Sequence, residues 1–298
     1  MMKVTLTNEI LSYIIEIEHN RYKVSSVKLS KPVMNRLRKN SKKKSSYASN
    51  KIEGNPLSEK QVDEVIERDE RKHYLKPEQE VRNYFLALNY LEEKVSKKEK
   101  FSQKLILDVQ KLVEKGASKE KIGLRGSMPP GVLFAVYDSK TGNPDYIPPE
   151  YCDIPELLDE LVEYVNTTDD HPLIVAAVVH YQLVTIHPFE DGNGRTARLL
   201  SGYIMDLNGY RFNGIGSLEE YFAYDIDEYY EAIQMGLPAL YYSGRENPPH
   251  PEIWINYFLR MVKLYSGKVC DLQLASEEED IAGSLSFLKV QFTRDYTG

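Results

Sequence analysis

Twelve consecutive residues, His187, Pro188, Phe189, Glu190, Asp191, Gly192, Asn193, Gly194, Arg195, Thr196, Ala197 and Arg198, gather the groups needed to bind an anion and move a proton beside it. Gly192 and Gly194 bracket Asn193 and let the backbone approach a ligand closely. The helix expected to follow offers unpaired N–H groups and the positive end of its dipole, which makes an anion cradle. Arg195 and Arg198, three residues apart on that helix, lie on neighbouring faces and can both reach the same anion. Asp191 places a carboxylate at the edge of the cradle. Mg²⁺ needs only one or two such carboxylates when substrate phosphates supply other ligands. His187, just before the loop, can accept a proton near neutral pH.

Other motif readings fail on context. Gly192-x-Gly194-x-x-Ala197 matches a dinucleotide-binding fingerprint in form, but that fingerprint follows a strand and has an acidic residue about 20 positions on. Here a helix is expected before the loop, and Asp206 is too near. The Gly-Lys-Ser/Thr of a Walker loop is absent. His180 and His187 lack the spacing of a zinc helix pair, and no Cys cluster assists them. A Gly-Asn-Gly alone is ordinarily a turn and a lone histidine ordinarily structural; it is their combination that points to a site.

The elements that must position this loop are mostly helical. Leu157, Leu158, Leu161, Val162 and Val165 form one apolar face, with Asp153 and Glu156 in capping-box-like spacing and Pro155 in the first turn. His171-Pro172 opens a segment to Ile186 that is apolar all round and reads as a central helix, although its β-branched residues leave a buried strand open. After the loop, Leu199, Leu200, Tyr203, Ile204 and Leu207 share a face that ends at Asn208-Gly209. Upstream, Val81, Tyr84, Phe85, Leu88 and Leu91 place a helix over 80–93. The clear strand signal is Val132 to Ile147, whose turn cluster Asp138 to Pro144 predicts a β-hairpin.

Composition sets the outer bounds. The 298 residues are 42% hydrophobic and 28% charged, as in an ordinary globular chain, with a net charge of -7. No apolar run of about 18 residues implies a membrane span, and the N-terminus lacks the pattern of a secretory signal. Two cysteines, Cys152 and Cys270, are too few for a disulfide framework, so a reducing, cytoplasmic location is expected. Residues 151–298 carry a charge of -15 and residues 1–150 one of +8. The basic excess peaks at Arg36 to Lys39 and Lys42 to Lys44. Such a run could serve nucleic acid, but no aromatics are interleaved, which favours a solvated connector before a helix.

The segment His187 to Arg198 resembles the signature of the Fic family, His-Pro-Phe-x-Asp/Glu-Gly-Asn-Gly-Arg-x-x-Arg, at every specified position. The resemblance extends over about residues 45–262. Arg125, the hairpin and Ile147-Pro148-Pro149 resemble the target-docking flap and its exit, Ser217 to Ile233 the helix after the motif, and Trp254 to Leu259 the end of the core. It implies a mainly α, Fic-like helical bundle with one β-hairpin flap. Residues 1–99 would be an N-terminal helical region, 100–265 the catalytic core and 266–298 a C-terminal tail, too short for the winged-helix segment that relatives often carry.

What the resemblance implies for function is transfer of AMP from ATP, with Mg²⁺, to a Ser, Thr or Tyr hydroxyl of a protein. His187 would be the base and Asp191 the metal ligand. Gly192, Asn193 and Gly194 would cradle the α- and β-phosphates with help from Arg195, a catalytic residue, while Arg198 would hold the γ-phosphate and Tyr229 would line the nucleotide site. Relatives that transfer phosphate instead carry Lys at the position of Gly194. Asp225 stands where the family often has Asn near the adenine, which leaves base preference open. Ser49-Asn50-Lys51-Ile52-Glu53-Gly54-Asn55 resembles the family's inhibitory helix, making Ser49 and Glu53 regulatory. In some relatives the same glutamate also positions water for AMP removal. The implied partners are ATP and a protein target, the chain itself included. A nucleotide-sensing or DNA-associated regulator and a homo-oligomer stay open.

Overall fold

The computed structural model describes residues 2–68, 73–118, 122–137 and 142–295. Helix α1 spans Asn8–Ser26, α2 Lys31–Ile52, α3 Glu59–Glu67, α4 Lys76–Ser96 and α5 Gln103–Glu114. A hairpin of β1 (Val136–Tyr137) and β2 (Pro144–Tyr146) follows. Then come α6 Ile154–Thr167, α7 Pro172–Ile186, α8 Asn193–Leu207, α9 Glu219–Tyr224, α10 Ile226–Gln234 and α11 Glu252–Asp295.

Helix α7 is the axis of the bundle. Its side chains are almost all buried, as an apolar surface all round requires. Pro172 in its first turn and a His171 ring nitrogen accepting from the Leu173 N–H at 3.3 Å start it as a helix, which settles the strand alternative. Helix α8 packs along α7, burying Leu199, Leu200, Tyr203 and Ile204, and stops before Gly209 at φ +78°. Helix α4 lies against α2, α5 and α8 and buries Val81, Tyr84, Leu88 and Leu91, with Phe85 half-buried. At the edge of the bundle α1 packs on α11 through Ile10, Ile17 and Val24, spaced seven apart, with Asn20 Nδ2 donating to Ser266 Oγ at 2.9 Å. One contiguous apolar core runs from Met2 to Cys270 and includes elements on both sides of residue 99.

Several local expectations are corrected. Asp153 stands at the start of α6 but makes no capping bond there: its backbone is already helical, and its carboxylate accepts from the Tyr242 hydroxyl at 2.5 Å instead. The basic run is no connector, since α2 begins at Lys31 and contains it. Lys42 donates to Asn89 and Glu92, Lys43 to Glu67 and Lys44 to Glu220, so α2 uses these ammonium groups to bind its neighbours. Ser49 to Ile52 form the last turn of this 22-residue helix, and Glu53 caps it. Residues 266–295 continue α11.

The hairpin is shorter than 132–147. Its antiparallel register pairs Val136 with Tyr146 and Tyr137 with Pro144, with an irregularity between them. Residues 138–141 of the expected turn lie outside the described residues. Residues 132–135 are unpaired because Phe134 turns inward: its ring lies 4.8 Å beneath the Arg125 guanidinium and 6.0 Å from the His187 ring. No helix among the described residues is long and apolar enough to cross a membrane.

Candidate active site

His187 is the residue that ends α7, in a left-handed conformation (φ 49°, ψ 57°) that turns the chain sharply into the loop. The ring is fixed by Nδ1, 3.2 Å from the Val184 carbonyl. Because a carbonyl only accepts, Nδ1 carries the proton and Nε2 is left as an acceptor, the tautomer of a base. Burial pushes the imidazole down to about 4. The Val184 carbonyl opposes that shift, Arg125 adds to it, and Glu53 and Asp191 oppose it. Arg125 secures the loop from outside, its Nε donating to the His187 carbonyl at 2.8 Å, its backbone N–H to the Pro188 carbonyl at 2.9 Å and a terminal nitrogen to the Pro149 carbonyl. One guanidinium thereby joins the loop to the exit of the hairpin.

Inside the loop, the Asn193 amide bridges back to Phe189, accepting from its N–H at 3.0 Å and donating to its carbonyl at 2.9 Å. The side chain is thus a brace, and what Asn193 offers a ligand is its backbone. Gly192 precedes α8 at φ +82°, and a Cβ there would fall 2.7 Å from Glu114 Oε1. Asp191 Oδ1 accepts from the Gly192 N–H at 2.8 Å. Among the described residues no group of three or more His, Cys, Asp or Glu side chains could hold a metal ion. Were Mg²⁺ bound here, Asp191 would hold it as a single carboxylate, with substrate phosphates supplying the other ligands.

The two arginines part company. Arg198, 4% exposed, is grasped by the end of α2: Nε donates to Ser49 Oγ at 2.8 Å, and Nη2 to the Ser49 carbonyl at 3.0 Å and to Glu53 Oε1 at 2.6 Å. Burial works against its charge, and Glu53, with Tyr229 and Tyr84, raises it again above the ordinary value. The Glu53 carboxylate also lies over the first turn of α8, where a Cβ on Gly194 would meet Oε1 at 2.3 Å. An acidic side chain therefore sits where a helix N-terminus attracts anions.

Arg195 instead faces away from that contact, its Nη2 2.8 Å from Glu114 Oε1 and 3.3 Å from Asp191 Oδ1, with Glu80 at 4.0 Å. Its Nε and Nη1 are buried without a hydrogen-bond partner, as is Glu114 Oε2. Burial raises the Glu114 carboxyl to about 7, more than Arg195 lowers it, with Asp191 and Glu80 adding to the rise.

His187, Gly194, Arg198, Glu53, Tyr229 and Tyr230 share the walls of a cavity of about 160 Å³ that the hairpin borders through Val136 and Tyr146. Tyr229 is held there by His180, whose Nε2 lies 2.8 Å from its hydroxyl. Asp225 caps α10, accepting from the Glu228 N–H at 2.9 Å. Sequence reasoning missed Glu114 and Glu80. A glutamate ending an apolar-faced helix reads as exposed, and nothing local signals that Arg195 will arrive from 81 residues away.

The Fic/DOC family model matches residues 57–205. "Protein adenylyltransferase Fic" of Drosophila virilis is 28% identical over 206 residues, 66% of this chain and 39% of that protein. "Protein adenylyltransferase fic-1" of Caenorhabditis elegans is 46% identical over 67 residues, 22% of this chain and 13% of that protein. The chain spans about two fifths or less of the length of these curated relatives. In fold it is similar to a Fic family protein from Desulfovibrio desulfuricans, with TM-score 0.74 and 22% identity over 90% of this chain and 76% of that one. It is also similar to residues 134–508 of C. elegans Fic-1, with TM-score 0.68 and 24% identity over 91% and 73%.

Proposed function

Since the chain belongs to the Fic/DOC family, we propose that it is a protein adenylyltransferase, moving AMP from ATP to a protein hydroxyl and restrained by its own Glu53. The observation that carries this reading is the shared cavity. His187 and Gly194, in the first turn of α8, line it together, with Val136 and Tyr146 of the hairpin also on its walls, which supports the reading.

In the proposed reaction the target hydroxyl oxygen bonds to the α-phosphorus as the bond to pyrophosphate breaks. The hydroxyl proton goes to His187 Nε2, already the unprotonated nitrogen. Backbone N–H groups of Asn193 and Gly194 and the α8 dipole stabilise the charge on the leaving phosphates, with Gly192 giving the backbone its close approach. Arg195 assists them from the position Glu114 gives it, and Arg198 takes the γ-phosphate. Asp191 would hold Mg²⁺, which offsets phosphate charge when bound. Tyr229 lines the site. An incoming target strand would pair along the hairpin, the general mode of strand addition to a sheet edge.

Restraint by Glu53 is supported by geometry of the same atoms. An Arg198 donating to Ser49 and Glu53 cannot give those hydrogens to a γ-phosphate. A volume of about 160 Å³ also falls below the roughly 300 Å³ at the lower end of small-molecule sites. The test is mass spectrometry of the protein and its Glu53→Gly variant after incubation with Mg²⁺ and ATP. A gain equal to one AMP, greater in the variant and absent when His187 is changed to Ala, supports the reading. A phosphate-sized gain, or none in any form, overturns it.

A further inference from the structure

Ser45, Ser49 and Glu53 recur every four residues and share one face of α2. The last two meet Arg198. Ser45 meets a different group, donating from Oγ to Glu219 Oε2 at 2.8 Å. Glu219, in α9, is buried, and its carboxylate accepts two further hydroxyls: Ser217 on Oε2 at 2.9 Å and Tyr84, from α4, on Oε1 at 2.9 Å. The Tyr84 hydroxyl also interacts with Ser49. Polar contacts therefore run without a break from Glu219 through Tyr84 and Ser49 to Arg198 and Glu53.

A buried carboxylate is an expensive way to fill space, and apolar groups of the same shape would serve packing as well or better. Here the acid is satisfied by hydroxyls drawn from α2, α4 and the turn before α9. Arg211, which feels its charge, is paired with Asp206 at 3.1 Å. What such an arrangement supplies is direction. Each hydroxyl must sit at one place, so the rotation and height of α2 are fixed at Ser45. From Ser45 to Glu53 is about 12 Å of helix at 1.5 Å per residue, a rod short enough to carry a displacement at one end to the other.

We propose that Glu219, acting through Ser45 and Tyr84, is a positioning residue that latches α2 in the register that lays Glu53 on Arg198. The proposal deepens the reading of Glu53 as a restraint and rests on it. Without the latch, α2 gains the freedom to shift or fray over its last two turns. The form with Glu53 withdrawn then rises in population, and transfer rises in proportion.

The experiment uses Ser45→Ala and Tyr84→Phe in the full chain, alone and combined with Glu53→Gly. AMP incorporation is measured from labelled ATP, and amide hydrogen exchange over residues 45–54. Each single variant should raise incorporation on the order of tenfold, the weight of one hydrogen bond to an ionised acceptor, with no further rise in the Glu53→Gly background. Exchange over 45–54 should quicken in both single variants. Ser45→Thr, which keeps the hydroxyl, should behave as wild type. Ser217→Ala, which removes a Glu219 partner that lies outside α2 and, unlike Tyr84, has no contact with Ser49, should leave incorporation unchanged. The latch is overturned if Ser45→Ala and Tyr84→Phe change incorporation equally in both backgrounds, or if exchange over 45–54 is unaltered in both. If neither wild type nor Glu53→Gly incorporates AMP, the transferase reading has failed instead, and the exchange data alone decide the latch.

Discussion

Glu53 Oε1 lies 2.6 Å from Arg198 Nη2 although 145 residues separate the two in sequence. The same oxygen stands 2.3 Å from where a side chain on Gly194 would begin. A single carboxylate thus occupies both the arginine and the helix start of the proposed nucleotide site.

Replacing Glu53 with Gly should raise AMP incorporation by on the order of tenfold or more, since it frees a charge-assisted partner of Arg198. Glu53→Asp, one methylene shorter, should release it only in part. Equal incorporation by all three proteins would show that the contact restrains nothing.

Gly194→Ala tests the same oxygen from the other side. The new methyl must displace Glu53 from the buried Arg198, at a cost of about 1–3 kcal/mol for a lost bond between charged groups. In the Glu53→Gly background the nearest remaining atom is Arg198 Nη1 at 3.1 Å, and most of that penalty should vanish. Thermal unfolding of the four proteins gives the coupling directly; additive effects would mean that Glu53 is not held against Gly194.

His187 should act as a base well into the acid range. Its pKa of about 4 keeps the imidazole neutral at pH values where an exposed histidine is charged. The acid limb of kcat/KM for transfer is therefore expected below 6, and a limb centred on 6.5 would contradict the burial argument. For stability the sign is the same: the unfolded chain binds the proton first, so the contribution of a neutral His187 is lost as pH falls from about 6.5 towards 4. His187→Ala should abolish transfer yet leave ATP binding intact, because the proton it accepts comes from the target hydroxyl.

Glu114 works in the opposite sense. With a folded pKa of about 7 and an ordinary value of 4.5, the native state holds its proton while the unfolded chain has released it. Its contribution is therefore lost as pH rises from 4.5 to 7. Glu114→Gln, which cannot ionise, should flatten that part of the stability–pH curve in urea unfolding. It should also weaken Arg195 placement, seen as reduced transfer above pH 7, where the wild-type carboxylate is charged. An unchanged curve would rule out the raised pKa.

The chemistry of residues 187–198 was legible because a loop closing onto a helix start is a local affair: Asp191, Gly192 and Asn193 find their partners within a few residues. The helices were legible for the same reason, from the spacing of Leu158 and Leu161 or of Tyr84 and Leu88. What the sequence hid is where long side chains commit themselves. Arg195 and Arg198 lie on neighbouring faces of one helix, yet Glu114 claims one and Glu53 the other. The lysines of α2 look like a free basic patch until Glu67, Glu92 and Glu220 arrive from three other helices. The hairpin was overextended because alternation cannot register that Phe134 leaves the strand to lie under Arg125.

The packing of α1 on α11 sets an order of events during synthesis. Ile10, Ile17 and Val24 are synthesised well before Tyr257 to Val269, and the Asn20–Ser266 hydrogen bond of this pairing closes a span of 246 residues. Helix α2 is joined to α1 by only a few residues. The segment bearing Glu53 is held early by α3 and α4 through Lys43 and Lys42, but the α1–α11 support on its N-terminal side comes only after α8 has been made. On a growing chain, the His187 loop is complete before the restraint's far support exists.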